Sequence, residues 1–89
     1  MTYTYVLVSI NGKKTYSGVT NDINRRVKEH NAGKVKFSRS YRPFELLLCE
    51  EYSTNKGAIQ REKFYKSTSG RRELKLKYIQ WSVNNRNKM

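Results

Sequence analysis

Apolar and polar residues along the chain divide it into six elements. Tyr3 to Ile10 is rich in β-branched and aromatic residues, and the Asn11-Gly12 behind it signals a two-residue hairpin turn into a second strand, Lys14 to Val19. Thr20, Asn21 and Asp22 then offer N-capping side chains to a helix whose apolar spacing runs through Ile23 and Val27 until Asn31-Ala32-Gly33 stops it. Lys34 to Arg42 is basic and closed by Pro43, which reads as an exposed loop. In Phe44 to Tyr52, the run Leu46-Leu47-Leu48-Cys49 suits a strand buried on both faces and predicts the central strand of the sheet. Ser53 or Thr54 caps a second helix reaching about Lys66, Ser69-Gly70 breaks it, and a third helix starts near Arg71. Residues 84–89 are a polar tail expected to fray, which leaves one domain over residues 1–83. The order β-β-α-β-α-α is that of an α+β domain, a small three-stranded sheet flanked by helices.

The pattern has flaws that point to chemistry. The inward stripe of the first helix should be apolar, yet it reads Ile23, Arg26, Val27, His30. The second helix puts Glu62 on a face with Ala58, Ile59 and Tyr65. Each has a structural explanation: Arg26 extends its stem along the core, His30 caps locally, and Glu62 pairs with Arg61, Lys66 or Arg26. A two-residue turn at Asn11-Gly12 sets Tyr5 opposite Gly18 and Leu7 opposite Tyr16, making Tyr5 and Tyr16 diagonal neighbours on one face. Gly18 then leaves an open space beside the phenols where a phosphate or a backbone can approach. The same two tyrosines also read as an ordinary core pair.

Charge changes the picture more than length does. The 89 residues hold 19 Lys and Arg against 7 Asp and Glu, a net +12, with a mean hydropathy of −0.92. Such self-repulsion makes sense beside a polyanion, and nucleic acid is the expected partner. Membrane spanning is excluded: the longest apolar runs are four residues, against the roughly 20 a spanning helix needs. The N-terminal residues lack the basic and cleavage regions of a signal peptide, so a cytoplasmic location is expected. The single cysteine, Cys49, is expected to be a buried thiol rather than a nucleophile.

Phosphodiester hydrolysis needs a group that activates water, cations for the charge developing on the phosphate, and usually a divalent ion. One Cys and one His cannot build a zinc site, and no phosphate-binding glycine loop is present. Tyr16-Ser17-Gly18, with Tyr5 eleven residues before it, Arg26 ten residues after Tyr16 and His30 fourteen after, resembles the core of the GIY-YIG endonucleases. Lys36-Phe-Ser-Arg-Ser-Tyr-Arg-Pro43, Ala58-Ile-Gln-Arg-Glu62-Lys-Phe-Tyr-Lys66 and Lys66-Ser-Thr-Ser-Gly-Arg71 are similar to the small, single-domain bacterial branch of that family. Tyr3-Thr4-Tyr5 stands in place of GIY, Ser17 replaces the middle isoleucine, and no residue is matched to the late asparagine of some members.

The resemblance, over about residues 3–79, implies Tyr16 as general base, Tyr5 as its positioning or proton-relay neighbour, Arg26 on the scissile phosphate, His30 in support, and Glu62 holding Mg²⁺ or Mn²⁺. A phenol titrates near 10, so a base of this kind needs cations or a metal-bound phosphate nearby. Lys36, Arg39 and Arg42 of the basic loop, with Gly18, Lys66 and Arg71, are the residues expected against the nucleic acid, which is DNA before RNA. No separate recognition domain is seen, so specificity is low or comes from a protein partner; repair and recombination are among the pathways left open. Two other readings use the same residues: a non-catalytic module that binds single-stranded nucleic acid on its tyrosine-rich sheet, and a degenerate nuclease fold serving as an adaptor.

Overall fold

The structure, a computed structural model, describes residues 1–10 and 14–86, without the side chains of the last two. Strands β1 (Thr2–Ser9) and β2 (Thr15–Thr20) lead into helix α1 (Ile23–Asn31). A short 3₁₀ turn (Arg39–Tyr41) precedes β3 (Phe44–Tyr52), and α2 (Asn55–Lys66) and α3 (Thr68–Arg86) complete the α+β domain. The Asn11-Gly12 turn lies outside the described residues, but the register it implies is the one observed: Tyr5 faces Gly18 and Leu7 faces Tyr16.

The antiparallel sheet has the order β2-β1-β3, so β1 is central and β3 is an edge, contrary to the placement expected from the Leu46–Cys49 run. The physical reason is a bulge. Val6 pairs with Leu48 but Leu7 with Leu46, so Leu47 is an extra residue in β3 and the run does not read as one regular strand. Leu46 remains exposed at the edge, and Cys49 is exposed rather than buried. Partial desolvation, then the charges of Glu51 and Glu50, raise the Cys49 thiol above its ordinary pKa, so it is a poor nucleophile.

Alternation along β1 divides the core. Tyr5 and Leu7 pack with Phe44, Tyr16, Ile23 and Val27 on one side, while Val6 packs with Tyr65, Leu74, Leu47, Leu48 and Phe64 on the other. The second side is closed by α2 and α3. Thr4 Oγ1 donates to the Ala58 carbonyl at 2.7 Å, and the small Ala58, fully buried, lets α2 approach β1 closely. The break before α3 falls at Ser67, whose backbone is extended, and not at Ser69-Gly70. Gly70 lies inside the first turn of α3, where a Cβ would run into the backbone of Phe64 and Tyr65. Helix α3 continues to Arg86, into the polar segment expected to fray. Among the described residues no helix is long and apolar enough to cross a membrane.

Candidate active site

The site is built on the α1 side of the sheet. Asp22 caps α1, its carboxylate accepting from Arg25 N at 3.1 Å, and this fixed start sends Ile23, Val27 and His30 inward together. His30 is fully buried, and both of its ring nitrogens are engaged: Nε2 lies 3.0 Å from Tyr5 Oη and Nδ1 lies 2.7 Å from Ser38 Oγ. Ser38 Oγ donates to the Val35 carbonyl at 3.4 Å, so it accepts from Nδ1–H and leaves Nε2 free to accept the Tyr5 hydroxyl proton. Arg26 Nε donates to Tyr5 Oη at 3.2 Å, and Arg26 Nη1 pairs with Glu29 Oε1 at 3.1 Å. Ser38, His30, Tyr5 and Arg26 therefore form one hydrogen-bonded chain from the loop to the rim of the sheet.

Burial, with the Arg26 charge acting the same way, pushes His30 down to about 4, so the imidazole is neutral at neutral pH. Burial also raises the Tyr5 phenol, and the Arg26 hydrogen bond offsets only part of this. Tyr5 is thus a protonated donor to a neutral acceptor, with a guanidinium against its oxygen.

Tyr16 lies against the same imidazole, with ring centroids 4.9 Å apart and planes tilted by 60°. The space over Gly18 is not open, as the sequence suggested. It is filled by Tyr5, since a Cβ on Gly18 would come within 2.5 Å of Tyr5 Oη. The glycine lets the phenol lie flat across β2 toward His30 and Arg26.

Glu62 approaches from α2, one turn beyond the Thr4–Ala58 contact that holds this helix to β1. Its charge acts on the Tyr5 phenol, and its Oε1 takes Lys66 Nζ at 2.7 Å, which singles out Lys66 among the three pairings open to it. Arg61 is committed elsewhere, to Glu50 at 3.0 Å and Glu73 at 3.7 Å. Hydrogen bonding to Glu62 raises Lys66 above its usual pKa, and Tyr16 and Tyr5 act on it as well. Tyr16, Lys66 and Arg71 line a cleft of about 300 Å³ with Thr15, Ser17, Tyr65 and Leu74.

The structure thus joins Tyr5, Arg26 and His30 by hydrogen bonds, sets Tyr16 on His30, and brings Glu62 and Lys66 within electrostatic reach. Lys36, Arg39 and Arg42 are exposed on the loop, which is tied to this group by the Ser38–His30 bond. Sequence reasoning missed Ser38 and Glu29. Ser38 gave no periodic signal inside a basic loop, whereas Glu29, three residues after Arg26, stood at the spacing of a helical ion pair.

As a metal site this is a one-carboxylate site. Among the described residues no three His, Cys, Asp or Glu side chains gather as a metal group. Both nitrogens of His30 are already used, and the Glu62 side chain keeps 20% exposure. Such a donor set suits Mg²⁺ or Mn²⁺, which accept one carboxylate and complete their shell with water and phosphate oxygens. The i,i+4 pair with Lys66, whose own side chain is 60% exposed, is worth only about 0.3–0.5 kcal/mol and presents a small barrier to that use.

Comparison with known proteins bears on the family and the fold. A sequence profile of the GIY-YIG catalytic domain matches residues 1–78. The UPF0213 protein YazA of Bacillus subtilis is 36% identical over 83 residues, covering 92% of this chain and 82% of its own length. The UPF0213 protein SERP0126 of Staphylococcus epidermidis is 40% identical over 75 residues, covering 83% and 89%. The solution NMR structure of the UPF0213 protein BH0048 from Bacillus halodurans matches with a TM-score of 0.52 at 31% identity, over 89% of this chain and 85% of that one.

Proposed function

The chain belongs to the GIY-YIG nuclease family, and from that premise we propose that it is a metal-dependent endonuclease that hydrolyses phosphodiester bonds in DNA in the cytoplasm. The observation that carries this reading is the Ser38–His30–Tyr5–Arg26 chain, which ends in a guanidinium and has Tyr16 packed on its imidazole. A purely structural tyrosine pair has no need of a neutral buried histidine and an arginine trained on one phenol.

In this reading Tyr16 is the general base: it takes a proton from water as the water oxygen bonds to phosphorus and the bridging P–O bond breaks, and the leaving oxygen takes its proton from solvent. Tyr5, held by His30 and Arg26, positions its phenol beside Tyr16. Arg26 faces the developing negative charge, a task suited to a guanidinium that never loses its proton. Glu62 would hold Mg²⁺ or Mn²⁺, which would supply charge neutralisation at the phosphate. Lys66 and Arg71 in the cleft, and Lys36, Arg39 and Arg42 on the loop, bind the phosphate backbone. Specificity comes from a protein partner or is low.

The test is purified protein with Mg²⁺, Mn²⁺ or EDTA against labelled single-stranded, duplex and branched DNA and RNA. Cleavage that appears with the metal and stops with EDTA is expected. Binding without cleavage under every metal condition would replace the enzyme with a binding module.

A further inference from the structure

Phe37 is 81% exposed, the most exposed of the large apolar side chains described. A single exposed apolar residue is common on protein surfaces and by itself means little. Three features set this one apart. The next residue, Ser38, is 1% exposed and bonded to His30, so the backbone beneath Phe37 is anchored to the candidate site. The turn around it is closed by Ser38 N and Arg39 N donating to the Val35 carbonyl at 3.2 and 3.0 Å and by Tyr41 N donating to the Ser38 carbonyl at 3.0 Å. Finally, exposed cations flank it on both sides, Lys34 and Lys36 before it and Arg39 and Arg42 after. Tyr41, on the same turn, has Lys14 over its ring, 5.5 Å from the centroid, whereas no cation among the described residues lies over the Phe37 ring.

An apolar ring held out in water on an anchored, cationic turn has the two components that bind unpaired nucleic acid: a face for a base and charges for the backbone on either side. The bases of an intact duplex are stacked on each other and offer no free face. We infer that Phe37 is a stacking platform for an unpaired nucleobase, so that the bound strand is single-stranded or locally unpaired beside the scissile phosphate. This rests on the nuclease reading only for the identity of the neighbouring phosphate. A membrane surface is the poorer fit, because one ring buries too little apolar area to hold a bilayer.

The test reads binding in EDTA, where turnover is stopped, by fluorescence anisotropy with a homopyrimidine single strand and a blunt duplex of equal length. Phe37→Ala is expected to weaken single-strand binding by about tenfold or more, in line with the ~1–3 kcal/mol measured for base–aromatic stacking, and to leave duplex binding unchanged. Phe37→Trp is expected to keep single-strand affinity and to add an emission signal that the single strand quenches beyond the response of Trp81 in the wild-type protein. Leu76→Ala, an exposed apolar position on α3, serves as the remote control and is expected to change neither affinity. Equal losses on both nucleic acids, an unquenched Trp at position 37, or Phe37-dependent capture by phosphatidylglycerol vesicles without single-strand binding would overturn the inference. The two readings fail separately. Phe37-dependent single-strand binding without metal-dependent cleavage keeps the platform and removes the enzyme; metal-dependent cleavage of both substrates by an unimpaired Phe37→Ala protein does the reverse.

Discussion

Acid should loosen this domain through one side chain, and the size of the effect follows from the site. His30 is the only histidine, and its pKa falls from the ordinary 6.5 to about 4 because the fold buries it beside Arg26. Between those values the unfolded chain takes up a proton that the folded chain resists, so stability falls as pH drops from about 6.5 to about 4, and the contribution is fully present only above that window. At ~1.4 kcal/mol per pKa unit the whole window amounts to roughly 3 kcal/mol, of which about 2 kcal/mol is lost between pH 7 and pH 5. A chain of this size has a total stability on the order of 4–13 kcal/mol, so the loss is large enough to measure. Urea unfolding at pH 7, 6 and 5 reads it as a falling midpoint at constant slope, and most carboxylates titrate below that range. His30→Gln, which cannot titrate, should flatten the profile. A wild-type midpoint that does not move between pH 7 and pH 5, or a His30 ring proton titrating near 6.5 by NMR, would refute the buried neutral imidazole and the direction of the Tyr5 hydrogen bond with it.

Tyr16→Phe is expected to lower cleavage by at least a hundredfold, the scale of general-base catalysis, while DNA affinity in EDTA stays unchanged; a variant that retains most of its turnover removes Tyr16 as the base. Glu62→Gln should abolish stimulation by Mg²⁺ and Mn²⁺ with little change in the unfolding midpoint, since the amide keeps the shape of the side chain and the Lys66 ammonium it leaves unpaired is 60% exposed; undiminished metal-dependent turnover would place the ion elsewhere. Ser38→Ala leaves the His30 Nδ1–H without its partner in the core and should cost about 1–3 kcal/mol in urea unfolding; an unchanged midpoint would mean that water or another group satisfies it. If six or more phosphates are contacted, DNA affinity should fall by roughly a thousandfold between 50 and 200 mM salt, and a flat response would contradict backbone binding by the loop and cleft cations.

The sequence revealed pairing and facing better than it revealed order. The register of Tyr5 with Gly18 was legible because a two-residue turn permits only one alignment, and the inward face of α1 was legible because Ile23 and Val27 define a stripe that Arg26 and His30 continue. The central strand was not, because two runs of four apolar residues compete. Tyr5–Val8 is flanked by Thr4 and Ser9, small side chains that are buried with hydrogen-bond partners in Ala58 and Tyr41. Leu46–Cys49 is flanked by Glu45, Glu50 and Glu51, and charge on both sides of an apolar run is how edge strands avoid unwanted pairing. Reading the flanks with the run would have placed β1 in the middle and Cys49 at the exposed edge. Gly18 shows a different limit: a missing side chain is visible in the sequence, but the neighbour that fills its space, here Tyr5, is not.

The site and the core are partly the same atoms, which decides what mutagenesis can resolve. Tyr5 is 1% exposed and His30 is fully buried; they supply core volume along with candidate chemistry. Truncating either to alanine opens a cavity of the kind that costs about 3–5 kcal/mol for a large aromatic, and lost activity would then report unfolding. Tyr5→Phe avoids this: it removes only the oxygen that links His30 to Arg26 and keeps the ring over Gly18. The mechanism requires cleavage to fall far more than the unfolding midpoint does in that variant. Proportional losses in the two would mean that Tyr5 serves the fold alone, and the hydrogen-bonded chain would then be scaffolding with no part in the reaction.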